Sequence, residues 1–147
     1  MITYMALTPK VAVFDSSGLV SLVKPDDQMH GEAVSILEAM IAHGWRLLLP
    51  YEVLAESLDT IGKLAGKQSA VKVGEAILDQ YAAQELAFVQ NEPHVATRAL
   101  HRLKSATGSP SFVDCQVMSY ADEHRTLYIF GFDATFRKNG YRLPTKK

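Results

Sequence analysis

Short runs of consecutive apolar residues recur between stretches of helical periodicity, and this alternation constrains the fold more than any other feature of the chain. The runs are VAVF at 11–14, WRLLL at 45–49, LAFV at 86–89 and TLYIFGF at 126–132. A strand with one wet face alternates apolar and polar residues, whereas a strand covered on both faces reads as an unbroken apolar run. Helices between such strands are the connections that a parallel sheet requires. The pattern predicts an α/β fold: a three-layer sandwich with a central parallel sheet of about four to five strands flanked by helices.

The chain has 147 residues, the size of one compact domain. Residues 1–10 read as a loose lead-in, and 144–147 as a tail. The first strand ends at Asp15, and Ser16-Ser17-Gly18 opens a short helix through Val23, stopped by Pro25. A helix is predicted over 29–42, with Ala33, Ile36, Leu37, Met40 and Ile41 on one face and Gly44 after its end. After the second strand Pro50 introduces a helix over 51–65, carrying Leu54, Leu58 and Ile61. A further helix follows over 69–84, with Val73, Ile77 and Tyr81 in register. That stripe reads as core first and as a homodimer face second. Pro93 starts a helix through 104 bearing Val95, Ala99 and Leu103, and 106–110 is a turn-rich joint. The next helix begins at Ser111, a last short helix or turn covers 134–138, and 141–143 is a possible final strand.

Composition bounds the setting. Hydrophobic residues make up 48% and charged residues 21%, a globular balance. No apolar run approaches the roughly 20 residues of a membrane span. The start, MITYMALTPK, lacks the charged-then-apolar order of a secretory signal. A lone Cys115 rules out an intramolecular disulfide and supplies no zinc cluster. A cytoplasmic protein is expected. The net charge of -1 neither supports nor excludes a nucleic-acid partner, because an acidic metal site cancels basic contacts in the sum.

Ligands of open parallel sheets gather beyond the carboxyl ends of the strands. Asp15 ends the first strand and Asp133 the late one, so both point to one rim. Each acid also has a plainer role. Asp15 can cap the helix that follows, Ser111 and Asp114 form a capping-box pattern, and Asp133 can cap the last turn. Glu52 and Glu56 share a helix face. Glu52 lies in the first turn, where the helix dipole favours an acid, which makes Glu56 the better ligand candidate.

Five segments, in order and at matching spacing, resemble the PIN-domain family, and most of all the VapC-type toxins of toxin–antitoxin pairs. VFDSSGLVSLV is similar to the opening strand–Asp motif, and DDQMHGEA to the D-x-x-H-x-x-A start of the second helix through His30 and Ala33. PYEVLAESL resembles the helix that carries the family's glutamate, here Glu56. SFVDCQVMSYA resembles the third acidic motif with Asp114, and IFGFDATFRKNG the fourth, with Asp133, Phe136 and Gly140. The position after Asp15 is Ser16 rather than the commoner Thr, and the third motif reads FVDC where TDA is frequent. Asp133 is the family's most variable acid.

The resemblance implies a metal-dependent endoribonuclease that holds Mg²⁺ or Mn²⁺ through Asp15, Glu56, Asp114 and Asp133, with Ser17 in support. It implies RNA as substrate, products with 5′-phosphate and 3′-hydroxyl ends, a small antitoxin protein as partner, and a homodimer. The chemistry agrees with it: clustered carboxylates repel one another unless hard cations neutralise them. Arg137, Lys138 and Arg142 are candidate phosphate contacts or solvated surface. His30 reads as structural and Cys115 as a small buried residue beside the acids. Two rivals remain. One is a catalytically silent PIN module that binds RNA or protein. The other is an aspartyl-phosphate domain, which would want a second Asp two residues after Asp15, where Ser17 stands.

Overall fold

The structure is a computed structural model and describes residues 9–90 and 93–146. Four parallel strands form its sheet. They are β1 (Val11–Phe14), β2 (Arg46–Pro50), β3 (Ala87–Val89) and β4 (Ile129–Phe130), in the spatial order β3-β2-β1-β4. Val11 pairs with Arg46, Leu48 with Ala87 and Val13 with Ile129. Seven helices flank the sheet among the described residues: α1 (Ser16–Val23), α2 (His30–Ala42), α3 (Tyr51–Ala65), α4 (Lys67–Ala82), α5 (Pro93–Ser105), α6 (Phe112–Glu123) and α7 (Ala134–Lys138). The three-layer parallel α/β expectation is met, with four strands.

Both faces of the sheet are covered, which is why its strands are apolar throughout. Val13, Leu48, Ile129 and Phe130 are fully buried, and Phe14 meets Phe130 edge to face at 5.2 Å. Ala33, Ile36 and Met40 of α2, Val53 of α3, Val95 and Ala99 of α5 and Val117, Met118 and Ala121 of α6 close the core over it. Each large apolar side chain so buried contributes about 1.5–3 kcal/mol.

The differences from expectation lie at the edges. The last strand is two residues long, Ile129–Phe130, within the apolar run predicted over 126–132. Residues 141–143 contribute one isolated bridge, Arg142 to Tyr128, rather than a fifth strand. The fourth helix begins two residues before the predicted Ser69, since Gly66, at φ 94°, ends α3 and admits α4 at once. Ile41, Tyr81 and Leu103 sit at helical spacing yet are 61%, 51% and 45% exposed. Ile41 and Tyr81 line the walls of a groove of about 1260 Å³ between α2 and α4, floored by Trp45, Leu47 and Ala87. The lead-in before residue 9 and Lys147 lie outside the described residues.

The strand order fixes where a ligand would go. The chain winds from β1 through β2 to the edge at β3, then returns across the sheet to place β4 on the other side of β1. The connections leave β1 and β4 in opposite directions, and such a switch point opens a crevice at the strands' carboxyl ends. Asp15 follows β1 there, and Asp133 lies just beyond β4.

Candidate active site

Asp15 is the buried centre of the rim. It is 3% exposed and caps α1. Its Oδ2 accepts from the Ser17 backbone N–H at 3.1 Å and from the Ser17 hydroxyl at 2.7 Å. Its Oδ1 is buried with no protein donor. The Ser17 hydroxyl in turn accepts from Phe132 N at 3.0 Å, and Asp15 N donates to Phe130 O at 3.0 Å. Asp15 is thereby tied from both sides to the end of β4.

Two glycines make this approach possible. A Cβ on Gly131 would lie 2.7 Å from Asp15 Cβ and 3.1 Å from Ser17 Oγ. A Cβ on Gly18 would lie 2.2 Å from Phe130 O. Both are closer than a side-chain carbon tolerates, so α1 docks on β4 only because neither position carries one. Sequence reading gave Gly131 no role, although a glycine inside an aromatic strand run is itself a sign of close backbone approach.

Asp114, Glu56 and Asp133 each accept from a Ser or Thr donor. Ser111 caps α6 in a full capping box: Asp114 N donates to Ser111 Oγ at 3.1 Å and Ser111 N to Asp114 Oδ2 at 2.9 Å. Glu56 is exposed on α3 and accepts from the Ser16 hydroxyl through Oε1. Asp133 caps α7, its Oδ1 accepting from Thr135 N at 3.0 Å. Glu52, one turn before Glu56, accepts instead from the hydroxyl of the buried Tyr120 at 2.9 Å, a structural tie between α3 and α6. The Ser16 bond to Glu56 is a contact that sequence reading missed, since a partner 40 residues away leaves no local signal.

The electrostatics join the acids. Burial pushes the Asp15 carboxyl up from 3.8 to about 6, against the two Ser17 hydrogen bonds, and the Asp114 charge adds to the rise. Asp114 is also raised, first by burial and then by the charges of Asp133 and Glu56, with the Ser111 bonds opposing. Beside it Cys115 is fully buried, and burial and the Asp114 charge push its thiol up, which leaves it inert.

Among the described residues, no three His, Cys, Asp or Glu side chains stand close enough together to hold one ion as they are. Asp114, Glu56 and Asp133 lean toward their own Ser and Thr donors, as mutually repelling carboxylates do. Yet the donor set suits a hard cation: all oxygen, anionic, and with a buried Oδ1 on Asp15 that lacks any donor.

His30 stands apart from this group. Its Nδ1 meets Ser21 O at 2.8 Å, while the Ser21 hydroxyl donates to Asp27 Oδ1 at 2.8 Å. The D-x-x-H segment therefore fastens the α1–α2 joint. Of the basic residues, Lys138 and Arg142 are exposed, whereas Arg137 is half-buried and turned inward.

No protein-family model and no curated protein sequence matches the chain. A solved structure does match in fold: that of Mycobacterium tuberculosis VapC20, described as a sarcin-ricin loop cleaving toxin. The TM-score is 0.77 at 17% identity, covering 89% of this chain and 96% of that one. At that identity the likeness speaks for architecture, and with the four-stranded parallel sheet described above it makes this a PIN-like three-layer α/β fold.

Proposed function

We propose that the chain is a metal-dependent endoribonuclease that hydrolyses RNA phosphodiester bonds, the toxin of a VapC-type toxin–antitoxin pair. The observation that carries this reading is the buried Asp15 carboxylate. It has an oxygen without a donor and lies at the switch point of a VapC-like fold, electrostatically joined to Asp114 and through it to Glu56 and Asp133. Asp15, Asp114, Glu56 and Asp133 would hold Mg²⁺ or Mn²⁺. Such an ion supplies charge to a bound phosphate and acidity to an attacking water.

The chain's own residues set the stage for that chemistry. Ser17 fixes the Asp15 carboxylate through Oδ2 and leaves Oδ1 without a protein donor. The capping box occupies Oδ2 of Asp114, so helix capping and ligation can share one carboxylate. Ser16 restrains Glu56 from the first residue of α1. Lys138 at the end of α7 and Arg142 after it are exposed and would contact RNA phosphates. A small antitoxin protein would silence the site by presenting a cationic side chain to these acids. Of the expected Val73, Ile77 and Tyr81 stripe, Ile77 is buried and Val73 packs on the core, so self-association would use Tyr81 with the exposed Val71 and Leu78 of α4. No helix among the described residues is long and apolar enough to cross a membrane, and a cytoplasmic setting belongs to this reading.

The test is cleavage of RNA oligonucleotides, a sarcin-ricin loop among them, by the purified protein with Mg²⁺ or Mn²⁺ and with EDTA. Ion-dependent cutting that Asp114→Asn removes is the expected result. The spread of the acids favours one second reading, a silent PIN module that binds RNA or protein. Calorimetry separates the two, since the silent module takes up no Mn²⁺.

A further inference from the structure

Arg137 is the charged residue the proposed chemistry leaves unused. It lies on α7, one turn after Asp133, and its guanidinium runs back beneath the rim rather than out to solvent. Nη2 donates to Ile129 O at 3.3 Å, and Nη1 is buried with no protein acceptor. Ile129 pairs with Val13 of β1, and the next residue, Phe130, takes the Asp15 N–H. The end of β4 thus carries a buried donor without an acceptor, on Arg137, and is bonded to the residue that carries a buried acceptor without a donor, Asp15 Oδ1. Burial depresses the guanidinium's proton affinity, while the negative charges of Asp15 and then Asp133 support it.

We propose that Arg137 is a positioning residue, the resident counter-ion of the acid cluster: a fixed guanidinium that offsets the charge of Asp15 and Asp133 when no divalent cation is bound, and that limits how tightly the cluster takes one. The inference rests on the metal site of the proposed function. It separates Arg137 from Lys138 and Arg142, which are exposed and free to meet phosphate, whereas Arg137 is anchored from behind by a strand carbonyl. The physical basis is that one positive charge cannot stabilise neighbouring carboxylates without also repelling a cation that approaches them.

The experiment uses the full chain. Mn²⁺ binding by calorimetry and thermal unfolding in EDTA are measured for wild type, Arg137→Gln, Arg137→Lys, Asp15→Asn and the Asp15→Asn/Arg137→Gln double variant. Arg137→Gln is expected to unfold at a lower temperature in EDTA yet to bind Mn²⁺ roughly tenfold more tightly, the weight of one removed like charge. Arg137→Lys keeps the charge and is expected to bind Mn²⁺ within about twofold of wild type. The destabilisation by Gln should shrink in the Asp15→Asn background, because the charge it balanced is gone.

A Gln variant that binds Mn²⁺ as wild type does, or more weakly, overturns the proposal, as does strict additivity of the two substitutions in EDTA. If Arg137→Gln alone does not fold, rescue by Asp15→Asn supports the counter-ion, and failure to rescue overturns it. Wild type that takes up no Mn²⁺ refutes the metal site itself, and the EDTA cycle then decides the counter-ion alone: coupling supports it and additivity overturns it.

Discussion

Ser17 holds Asp15 twice through one oxygen: its backbone N–H and its hydroxyl both donate to Asp15 Oδ2, at 3.1 and 2.7 Å, and Oδ1 is left buried without a donor. The same hydroxyl accepts from Phe132 N, so a single oxygen atom couples the end of β1 to the chain beyond β4. Ser17→Ala breaks both links while leaving the helix start in place. A loss of about 1–3 kcal/mol in urea-induced unfolding is expected, the cost of leaving buried polar groups unsatisfied. RNA cleavage should fall with it. A variant as stable as wild type would mean that Ser17 does not organise this rim.

Asp15 gives the protein a pH signature. Its carboxyl is raised from 3.8 to about 6 in the fold, so between those values the native state holds a proton that the unfolded chain has released. The Asp15 contribution to stability is complete below about pH 3.8 and is lost as pH rises through about 6. A shift of this size corresponds to about 3 kcal/mol. Asp15→Asn, which carries no charge at any pH, should therefore be more stable than wild type in EDTA at pH 7, with the advantage gone at about pH 3.5, below the ordinary carboxyl value. Equal stability of the two proteins at pH 7 would contradict the placement of a charged, desolvated carboxylate here.

Alanine substitutions at two glycines should have opposite signs. Gly131→Ala puts a carbon 2.7 Å from Asp15 Cβ and must push the carboxylate or β4 aside, at a cost of roughly 1–3 kcal/mol. Gly31 lies within α2, where an added Cβ would have nothing within 4 Å, so Gly31→Ala should stabilise by about 0.5–1 kcal/mol. Thermal unfolding of the pair measures both at once. An active, undestabilised Gly131→Ala protein would show that Asp15 and β4 are not in the contact described.

Local sequence carried the architecture because the sheet is buried on both sides: the apolar runs at β1 and β2 announce themselves, and Asp15 and Asp133 follow from where such runs end. It carried α6 as well, since the Ser111–Asp114 capping box is written in four consecutive residues. It carried little of what joins distant segments. The Ser16–Glu56 hydrogen bond, the Tyr120–Glu52 tie and the Gly131–Asp15 approach each unite residues far apart in the chain. Periodicity placed Ile41 and Tyr81 on helix faces that turn toward the protein, yet those faces wall a groove rather than meet another helix. Arg137 read, with Lys138 and Arg142, as a phosphate contact or solvated surface, whereas its guanidinium turns inward to Ile129 O.

Asp114 is the most direct point of attack on the proposed nuclease. It is electrostatically joined to Asp15, Glu56 and Asp133 alike, and Asn in its place keeps an oxygen to accept from Ser111 N. The Asn variant should fold and, in EDTA, unfold at a higher temperature than wild type because repulsion is relieved. The decisive measurement is the rate of RNA cleavage by wild type and Asp114→Asn with Mn²⁺, alongside wild type in EDTA. Wild type should cut with Mn²⁺ and not in EDTA, and Asp114→Asn should lose at least about a hundredfold in rate, on the scale of an ion-mediated step. Cleavage by Asp114→Asn at the wild-type rate, or wild-type cleavage unaffected by EDTA, would contradict a metal-dependent nuclease built on these acids.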